Sequence, residues 1–161
     1  MAKLSFNLGD KVFVITGGSR GIGLEIAKLL LQQKAKVVVC GRKQDGLDAA
    51  SRELNGGDRL KTVAAHVAKN EDVERLFETT MKAFGHMDGL INNVGMNIAT
   101  GVVDADFGLW QKIVDSNLNG TYLCARKAGQ IMKSQGHGKI VSITSIAAHR
   151  ARQSYCWTRT A

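Results

Sequence analysis

Short β-branched runs alternate along the chain with longer stretches in which apolar residues recur every three or four positions. The runs at 11–16, 35–40, 60–67, 88–95 and 138–145 predict strands that are apolar throughout, the fourth together with its turn. Helices are predicted between them on apolar faces formed by Ile22, Ile26, Leu29 and Leu30, by Leu47, Ala50 and Leu54, by Val73, Leu76, Phe77 and Phe84, and by the long segment 105–134. The hydrophobic pattern therefore indicates regular alternation of strand and helix.

Alternation in this rhythm favours parallel pairing with right-handed crossovers, and strands without polar alternation favour a sheet covered on both faces. We therefore predict an α/β fold, a doubly wound parallel sheet of the Rossmann type. Residues 1–148 form the predicted domain, residues 149–161 a separate tail, and the fold is expected to be incomplete at its C-terminal side. Ligands of such sheets bind at the carboxyl ends of the strands.

A glycine-rich turn follows the first predicted strand, in the stretch FVITGGSRGIG at 13–23. The spacing is Gly17-x-x-x-Gly21-x-Gly23, and a helix is predicted to begin near Gly21. Glycine lets the backbone approach a ligand closely, and the free N–H groups of a helix N-terminus attract anions. A pyrophosphate satisfies both features, although a glycine turn can also exist without a ligand.

Four motifs in order carry a resemblance to the short-chain dehydrogenase/reductase family. They are the TGxxxGIG turn from Thr16, NNVG at 92–95, DSNLNGTY at 115–122 and GKIVSITSIAA at 138–148. The resemblance implies a nicotinamide cofactor and interconversion of a small-molecule carbonyl and a secondary alcohol. It implies these cofactor-binding residues: Gly17, Ser19, Arg20, Gly21, Ile22 and Gly23 at the diphosphate, Val67 at the adenine, and Asn93 and Gly95 on the nicotinamide side.

The end of the second strand distinguishes the two nicotinamide cofactors, because an acid there selects NAD and an arginine accommodates the 2′-phosphate of NADP. The sequence continues Cys40-Gly41-Arg42-Lys43, and no carboxylate follows until Asp45. Arg20 lies within the glycine turn and can approach the same phosphate. We therefore predict NADP as the cofactor; the alternative is that both arginines are merely solvated. After the third strand the family usually has Asp-Val, and this chain has His66-Val67.

The resemblance also implies a catalytic set of Asn117, Ser145 and a tyrosine, with the tyrosine as proton donor and the asparagine positioning a water. The candidate tyrosine is Tyr155, in the sequence Tyr155-Cys156-Trp157-Thr158-Arg159, where the family pattern is Tyr-x-x-x-Lys. Tyr155 follows Ser145 by ten residues, whereas the family interval is about thirteen.

Two interpretations of residues 149–161 stay open: a shortened active-site loop, or an altered reading of the gene. We favour the second, because it also explains the absence of proline and the early end of the sequence. The fifth strand and the long helix would then lack partners, so we expect marginal stability or aggregation. A non-catalytic NADP-binding remnant is the alternative to an active enzyme.

Composition narrows the remaining function classes. The net charge is +8, but the basic residues are scattered and aromatic residues are only 6%, which does not favour nucleic-acid binding. No apolar run reaches 18 residues, so no membrane span is predicted. Three separated cysteines favour a reducing cytoplasmic location. His86, His137 and His149 lack metal-ligand spacing, so we predict no metal, and the family resemblance allows a homo-oligomer.

Overall fold

A computed structural model describes residues 6–97 and 103–146. The strands are β1 Val12–Thr16, β2 Lys36–Gly41, β3 Leu60–Ala64, β4 Gly89–Asn92 and β5 Lys139–Ser142. The helices are α1 Gly21–Gln32, α2 Gln44–Leu54, α3 Asn70–Phe84, α4 Phe107–Val114 and α5 Gly120–Gln135. A 3₁₀ turn at Gly57–Arg59 precedes β3, and a π-helical turn at Asp115–Asn119 joins α4 to α5.

The five strands form one parallel sheet in the order β3-β2-β1-β4-β5. The chain first moves outward from β1 through β2 to β3 and then returns to the other side of β1 with β4. This reversal leaves a crevice at the carboxyl ends of β1 and β4, where ligands of doubly wound sheets bind. The predicted fold class is therefore confirmed.

Helices cover both faces of the sheet and create two hydrophobic cores. Val14, Val38 and Leu90 pack towards α3 and α5, where Phe77 and Cys124 are fully buried. On the other face of the sheet, the strand residues that point the opposite way pack against α1 and α2. This second core includes Ile15, Val37, Val39, Ala27 and Leu47. The strands are apolar throughout because each face meets a helical layer.

The buried face of α1 differs from the predicted one. Ile22 and Leu29 are exposed by 63% and 50%, whereas Leu24, Ala27 and Leu31 are buried. Gly23 packs closely against the preceding turn and is part of this buried face. The prediction was wrong for Ile22 and Leu29 because apolar residues surround most of this helix, so periodicity alone does not fix the inward direction.

The predicted long helix 105–134 is present as one continuous helical segment from Phe107 to Gln135, in which a π-helical turn at Asp115–Asn119 lies between α4 and α5. Asp106 caps α4 by accepting a hydrogen bond from the Leu109 N–H at 2.9 Å. Such π-turns insert one extra residue and occur frequently at functional sites. Hydrophobic spacing does not reveal the insertion, because the segments on either side both have ordinary helical periodicity.

Strand β5 lies at the edge of the sheet and pairs only with β4 among the described residues. All four of its residues are exposed, including Ile140 and Val141. The helical segment beside it also presents exposed apolar side chains; they are Phe107, Trp110, Leu118 and Tyr122. Among residues 6–97 and 103–146, the expected open strand edge and an apolar helix face are both seen.

Asp88 anchors the amino-terminal edge of the sheet, opposite the crevice. Its nearly buried carboxylate accepts hydrogen bonds from Lys11 Nζ and the Val12 N–H, each at 2.9 Å. The Nε2 atoms of His86 and His137 lie 3.3 and 3.5 Å from its two oxygens. Burial raises the pKa of Asp88, but the hydrogen bonds from Lys11 and Val12 and the nearby cations outweigh it, so the pKa is lowered overall.

We predict that Asp88→Asn lowers the free energy of unfolding by about 2 kcal/mol at pH 7, because a buried charge-assisted network is lost. A carboxylate with a lowered folded-state pKa stabilises the fold above its unfolded pKa of about 3.9 and loses that contribution at lower pH. Urea unfolding of both proteins should therefore give a difference in stability that shrinks between about pH 5 and pH 3, as the Asp88 carboxylate is protonated. A difference that stays the same or grows over this range would contradict this assignment.

Candidate functional site

A cleft of about 580 Å³ opens at the carboxyl edge of the sheet. The residues that line it are Gly17, Ser19, Arg20, Gly21, Cys40, Gly41, Arg42, Ala65, His66, Val67, Asn93, Val94, Gly95, Met96, Asn97 and Ser116. They follow four of the strands and include one residue of the π-helical turn. No aspartate or glutamate is among the described lining residues, whereas two are arginines, so the cleft favours an anion.

The glycine turn is braced against the end of β4 by Thr16 and Asn93. The buried Thr16 Oγ1 accepts hydrogen bonds from the N–H groups of Asn93 and Val94 at 3.0 and 3.2 Å. Asn93 Nδ2 in turn donates to the carbonyl oxygens of Thr16 and Gly17 at 3.0 and 3.1 Å. Asn93 therefore lines the cleft while its amide nitrogen holds the turn in place.

Two positions in this turn require glycine for structural reasons. Gly21 has φ +57°, a left-handed conformation that side chains disfavour. A Cβ on Gly23 would lie 2.6 Å from Asn93 Nδ2 and 2.7 Å from the Gly17 oxygen. Gly23 thus permits close packing of α1 on the turn and is not among the cleft-lining residues.

The amino terminus of α1 is suited to an anion. No side chain caps its first turn, and no acidic residue lies within that turn. Its unpaired N–H groups and the positive end of its dipole therefore remain available at Gly21, which lines the cleft. A diphosphate supplies the acceptors that these groups lack, so the residues present fit that group.

Cys40 supports the glycine turn from β2. Its carbonyl oxygen accepts from the Gly18 N–H at 3.2 Å, and its sulfur accepts from the Gly17 backbone. Complete burial raises the pKa of the Cys40 thiol to about 11, despite the opposing effect of the Gly17 hydrogen bond. The thiol is therefore a neutral packing and hydrogen-bonding group, not a nucleophile.

The cationic end of the cleft contains Arg20 and Arg42. Arg20 precedes α1, and Arg42 directly follows β2, the strand beside β1. Both are exposed and both line the cleft. Guanidinium groups form bidentate hydrogen bonds with phosphates, so this end is suited to a phosphate beyond the diphosphate.

The turn after β3 is held by a network outside the cleft. Asp72 Oδ2 accepts from the His66 N–H at 2.8 Å, and Arg75 bonds both Asp72 Oδ1 and the Ala64 oxygen. The hydrogen bond from His66, followed by that from Arg75, lowers the pKa of Asp72. This network fixes the backbone that carries His66 and Val67, both of which line the cleft.

Asn117 lies in the π-helical turn and pairs with the loop after β4. Its Oδ1 accepts from the Met96 N–H at 2.8 Å, and its Nδ2 donates to the Met96 oxygen at 3.0 Å. The neighbouring Ser116 is buried and lines the cleft. The amide of Asn117 therefore fixes the loop that contains Gly95 and forms one wall of the cleft.

The remaining predicted site residues lie elsewhere. Ser145 follows β5, is partly buried and is not among the described cleft-lining residues, and neither is the exposed Ile22. Tyr155 and the predicted tail at 149–161 lie outside the described residues. The sequence did not reveal that Thr16 joins the glycine turn to the loop after β4, or that Cys40 supports the glycine turn. Residue spacing does not show which backbone groups a buried side chain contacts.

Comparison with known proteins identifies the class. The family model described as short chain dehydrogenase matches residues 11–157. An uncharacterized oxidoreductase of Staphylococcus aureus (strain MRSA252) is 35% identical over 147 residues, which cover 91% of this chain and 63% of the relative. This chain belongs to the short-chain dehydrogenase/reductase family.

Two further relatives have more specific names. An NADP-dependent (R)-specific alcohol dehydrogenase of Lentilactobacillus kefiri is 35% identical over 140 residues, covering 86% of this chain and 56% of the relative. The crystal structure of 3-ketoacyl-(acyl-carrier-protein) reductase from Brucella melitensis complexed with NADH has 31% identity and a TM-score of 0.89, covering 95% of this chain and 64% of that one. The chain thus spans less than two thirds of the length of these proteins.

The described part of the chain contains no helix that is both long and apolar enough to cross a membrane. Within residues 6–97 and 103–146, no three His, Cys, Asp or Glu side chains are grouped as metal ligands would be.

We predict that Thr16→Val lowers the free energy of unfolding by about 2 kcal/mol, because the N–H groups of Asn93 and Val94 lose their acceptor while the side-chain shape is kept. Thr16→Ser retains the hydroxyl and should lie within about 1 kcal/mol of the wild type. Urea denaturation of the three proteins measures the difference. Equal stability of the valine and serine variants would show that the hydrogen bonds accepted by Thr16 Oγ1 do not stabilise the fold.

Proposed function

We propose that this chain is an NADP(H)-dependent oxidoreductase that interconverts a small-molecule carbonyl and a secondary alcohol. The observation that carries the proposal is the cleft charge: Arg20 and Arg42 line it, and no carboxylate lies among the described lining residues. The 2′-phosphate of NADP adds negative charge, which such a lining stabilises, whereas a carboxylate at this place would favour the ribose of NAD. The NADP dependence of the Lentilactobacillus kefiri relative supports this choice, and the NADH in the Brucella melitensis structure is the alternative.

When bound, the cofactor would supply the hydride, and the residues of this chain would bind and orient the cofactor and the substrate. The uncapped N–H groups at Gly21 would hold the diphosphate, with Gly17 and Ser19 beside it. Arg20 and Arg42 would hold the 2′-phosphate. Val67, which lines the cleft after β3, would lie at the adenosine end.

The opposite end of the cleft would receive the nicotinamide and the substrate. Asn93 and Gly95 line it, and Asn117 keeps this wall in place through Met96. In the proposed reaction, the Ser145 hydroxyl donates a hydrogen bond to the substrate carbonyl oxygen, and Tyr155 donates the proton to that oxygen. General acid catalysis of this kind contributes about 10²- to 10⁴-fold to the rate.

A second candidate function is NADP binding without turnover. Ser145 is not among the described cleft-lining residues, and Arg159 stands where the family pattern that Tyr155 resembles has lysine. Arginine does not replace lysine freely, because its charge lies in a rigid planar fork. Both candidates share the same cofactor cleft and differ only in catalysis.

For the cofactor, we predict that Arg42→Ala weakens NADP binding about tenfold, equivalent to the loss of one exposed charged contact, while NAD binding changes less than twofold. Isothermal titration with each nucleotide measures both dissociation constants. Arg126→Ala, an exposed arginine of α5 that does not line the cleft, is the matched control and should change neither. Wild-type protein that binds NAD as tightly as NADP would refute the assignment.

For catalysis, we expect NADPH oxidation with at least one member of a panel of aliphatic and aromatic ketones, followed as the loss of absorbance of the reduced cofactor. Tyr155→Phe should reduce the rate about 100-fold or more with little change in NADPH affinity. Tyr122→Phe, which alters the exposed tyrosine of α5, is the control and should retain activity. NADPH binding without any turnover would support the second candidate.

A further inference from the structure

A recess of about 350 Å³ adjoins the cleft and has no role in the proposed function. The wall that the two cavities share contains Arg42, His66, Met96 and Ser116. The residues that line the recess alone are Ala68, Lys69, Lys112 and Asp115. Val67, which the proposed function assigns to the adenosine end, lines the cleft and not the recess. The recess is therefore a separate space beside the proposed cofactor site.

The recess is lined by three cations from three separate elements. Arg42 follows β2, Lys69 immediately precedes α3, and Lys112 belongs to α4. None of the three forms a salt bridge within residues 6–97 and 103–146. A lysine ammonium is a compact charge on a flexible four-carbon stem, so it can turn towards a ligand that enters. Cations without an ion-pair partner around one recess attract an anion.

The carboxylates near these cations already accept hydrogen bonds. Asp115 is the one acidic residue among the described residues that line the recess, and its Oδ1 accepts from Asn119 Nδ2 at 2.8 Å. Asp72 senses the charge of Lys69, but its two oxygens accept from the His66 N–H and from Arg75. The positive charge of the recess is therefore not cancelled by its own acidic groups.

Ser116 adds a hydroxyl group without a partner. The residue is 9% exposed and lines both cavities, and its side chain forms no hydrogen bond with the described residues. In the described part of the chain, the fully buried side-chain atoms without a hydrogen bond all belong to Asn92, so the Ser116 oxygen reaches open space. Ser116 follows Lys112 by four residues and so lies on the same helical face. An oxyanion in the recess would supply the missing acceptor.

We propose that the recess is a second anion site, which binds a phosphate group through Lys69, Lys112 and the Ser116 hydroxyl. A phosphate dianion carries the charge that two ammonium groups neutralise, and it has enough oxygens to accept from both of them and from the hydroxyl. Inorganic phosphate and the phosphate of a small monoester share this chemistry. The site is distinct from the phosphates of the cofactor and does not depend on which cofactor binds, so it goes beyond the proposed function.

Titration with inorganic phosphate, followed by proton–nitrogen correlation NMR, locates the site. Ionic strength is held constant with chloride, so that screening does not change during the titration. The amide signals of Lys69, Lys112 and Ser116 should shift with one common dissociation constant. They should do so also in protein saturated with NADP, where the Gly21 signal should not respond to phosphate because the cofactor covers it.

Glycerol 3-phosphate distinguishes the two sources of the phosphate group. Binding of the monoester within about threefold of inorganic phosphate identifies phosphate esters as ligands, and binding of inorganic phosphate alone identifies the free ion. Both results support the anion site.

Lys112→Ala and Ser116→Ala should each weaken phosphate binding about fivefold or more, because each removes one contact to a charged group. Lys133→Ala removes an exposed lysine of α5 that lines neither cavity, so it is the matched control for charge and should change the dissociation constant less than twofold. Far-UV circular dichroism establishes that each variant is folded. Lys69→Ala takes the place of any recess variant that does not fold.

Shifts confined to Gly21 and its neighbours in the glycine turn would place the ion in the cleft and overturn the inference. Equal weakening by Lys112→Ala and Lys133→Ala would also overturn it, since the effect would then be one of overall charge. Shifts at Lys69 and Ser116 in a chain that binds no NADP would support this site and remove the proposed cofactor.

Discussion

The contact between the carboxyl ends of β1 and β4 determines whether this chain has a site. Parallel strands end side by side, and the two loops that leave them would separate if nothing joined them. Thr16 and Asn93 join them through four hydrogen bonds that involve one hydroxyl and one side-chain amide nitrogen. The crevice at the sheet reversal is therefore held open at a fixed width before any ligand arrives, which reduces the entropy that binding must overcome.

The same organisation divides the cleft into two ends with different chemistry. On the side of β2 and β3, the guanidinium groups of Arg20 and Arg42 favour phosphate. On the side of β4, the wall consists of backbone, apolar and amide groups held by Asn117 through Met96. A dinucleotide has the same asymmetry, with its charge concentrated at one end and its reactive ring at the other. The proposed cofactor would therefore match the cleft from end to end.

The sequence predicted the strands, their parallel pairing and the position of the glycine turn, because buried runs and glycine spacing are local signals. It did not predict which face of α1 is buried, since apolar residues surround that helix and periodicity alone does not distinguish Ile22 and Leu29 from Leu24 and Leu31. The π-helical turn at Asn117 was missed because one extra residue leaves no trace in hydrophobic periodicity. Thr16 and Cys40 act through backbone groups distant in sequence, which only the folded chain brings together.

The buried sulfur of Cys40 has a consequence for how the cleft tolerates oxidants. Peroxides and alkylating reagents attack the thiolate, and a thiol with a pKa of about 11 is almost entirely protonated near pH 7. The glycine turn thus rests on a sulfur atom that stays chemically inert while thiols of ordinary acidity are modified. The proposed hydride transfer in this cleft would therefore leave the sulfur that supports the glycine turn unmodified.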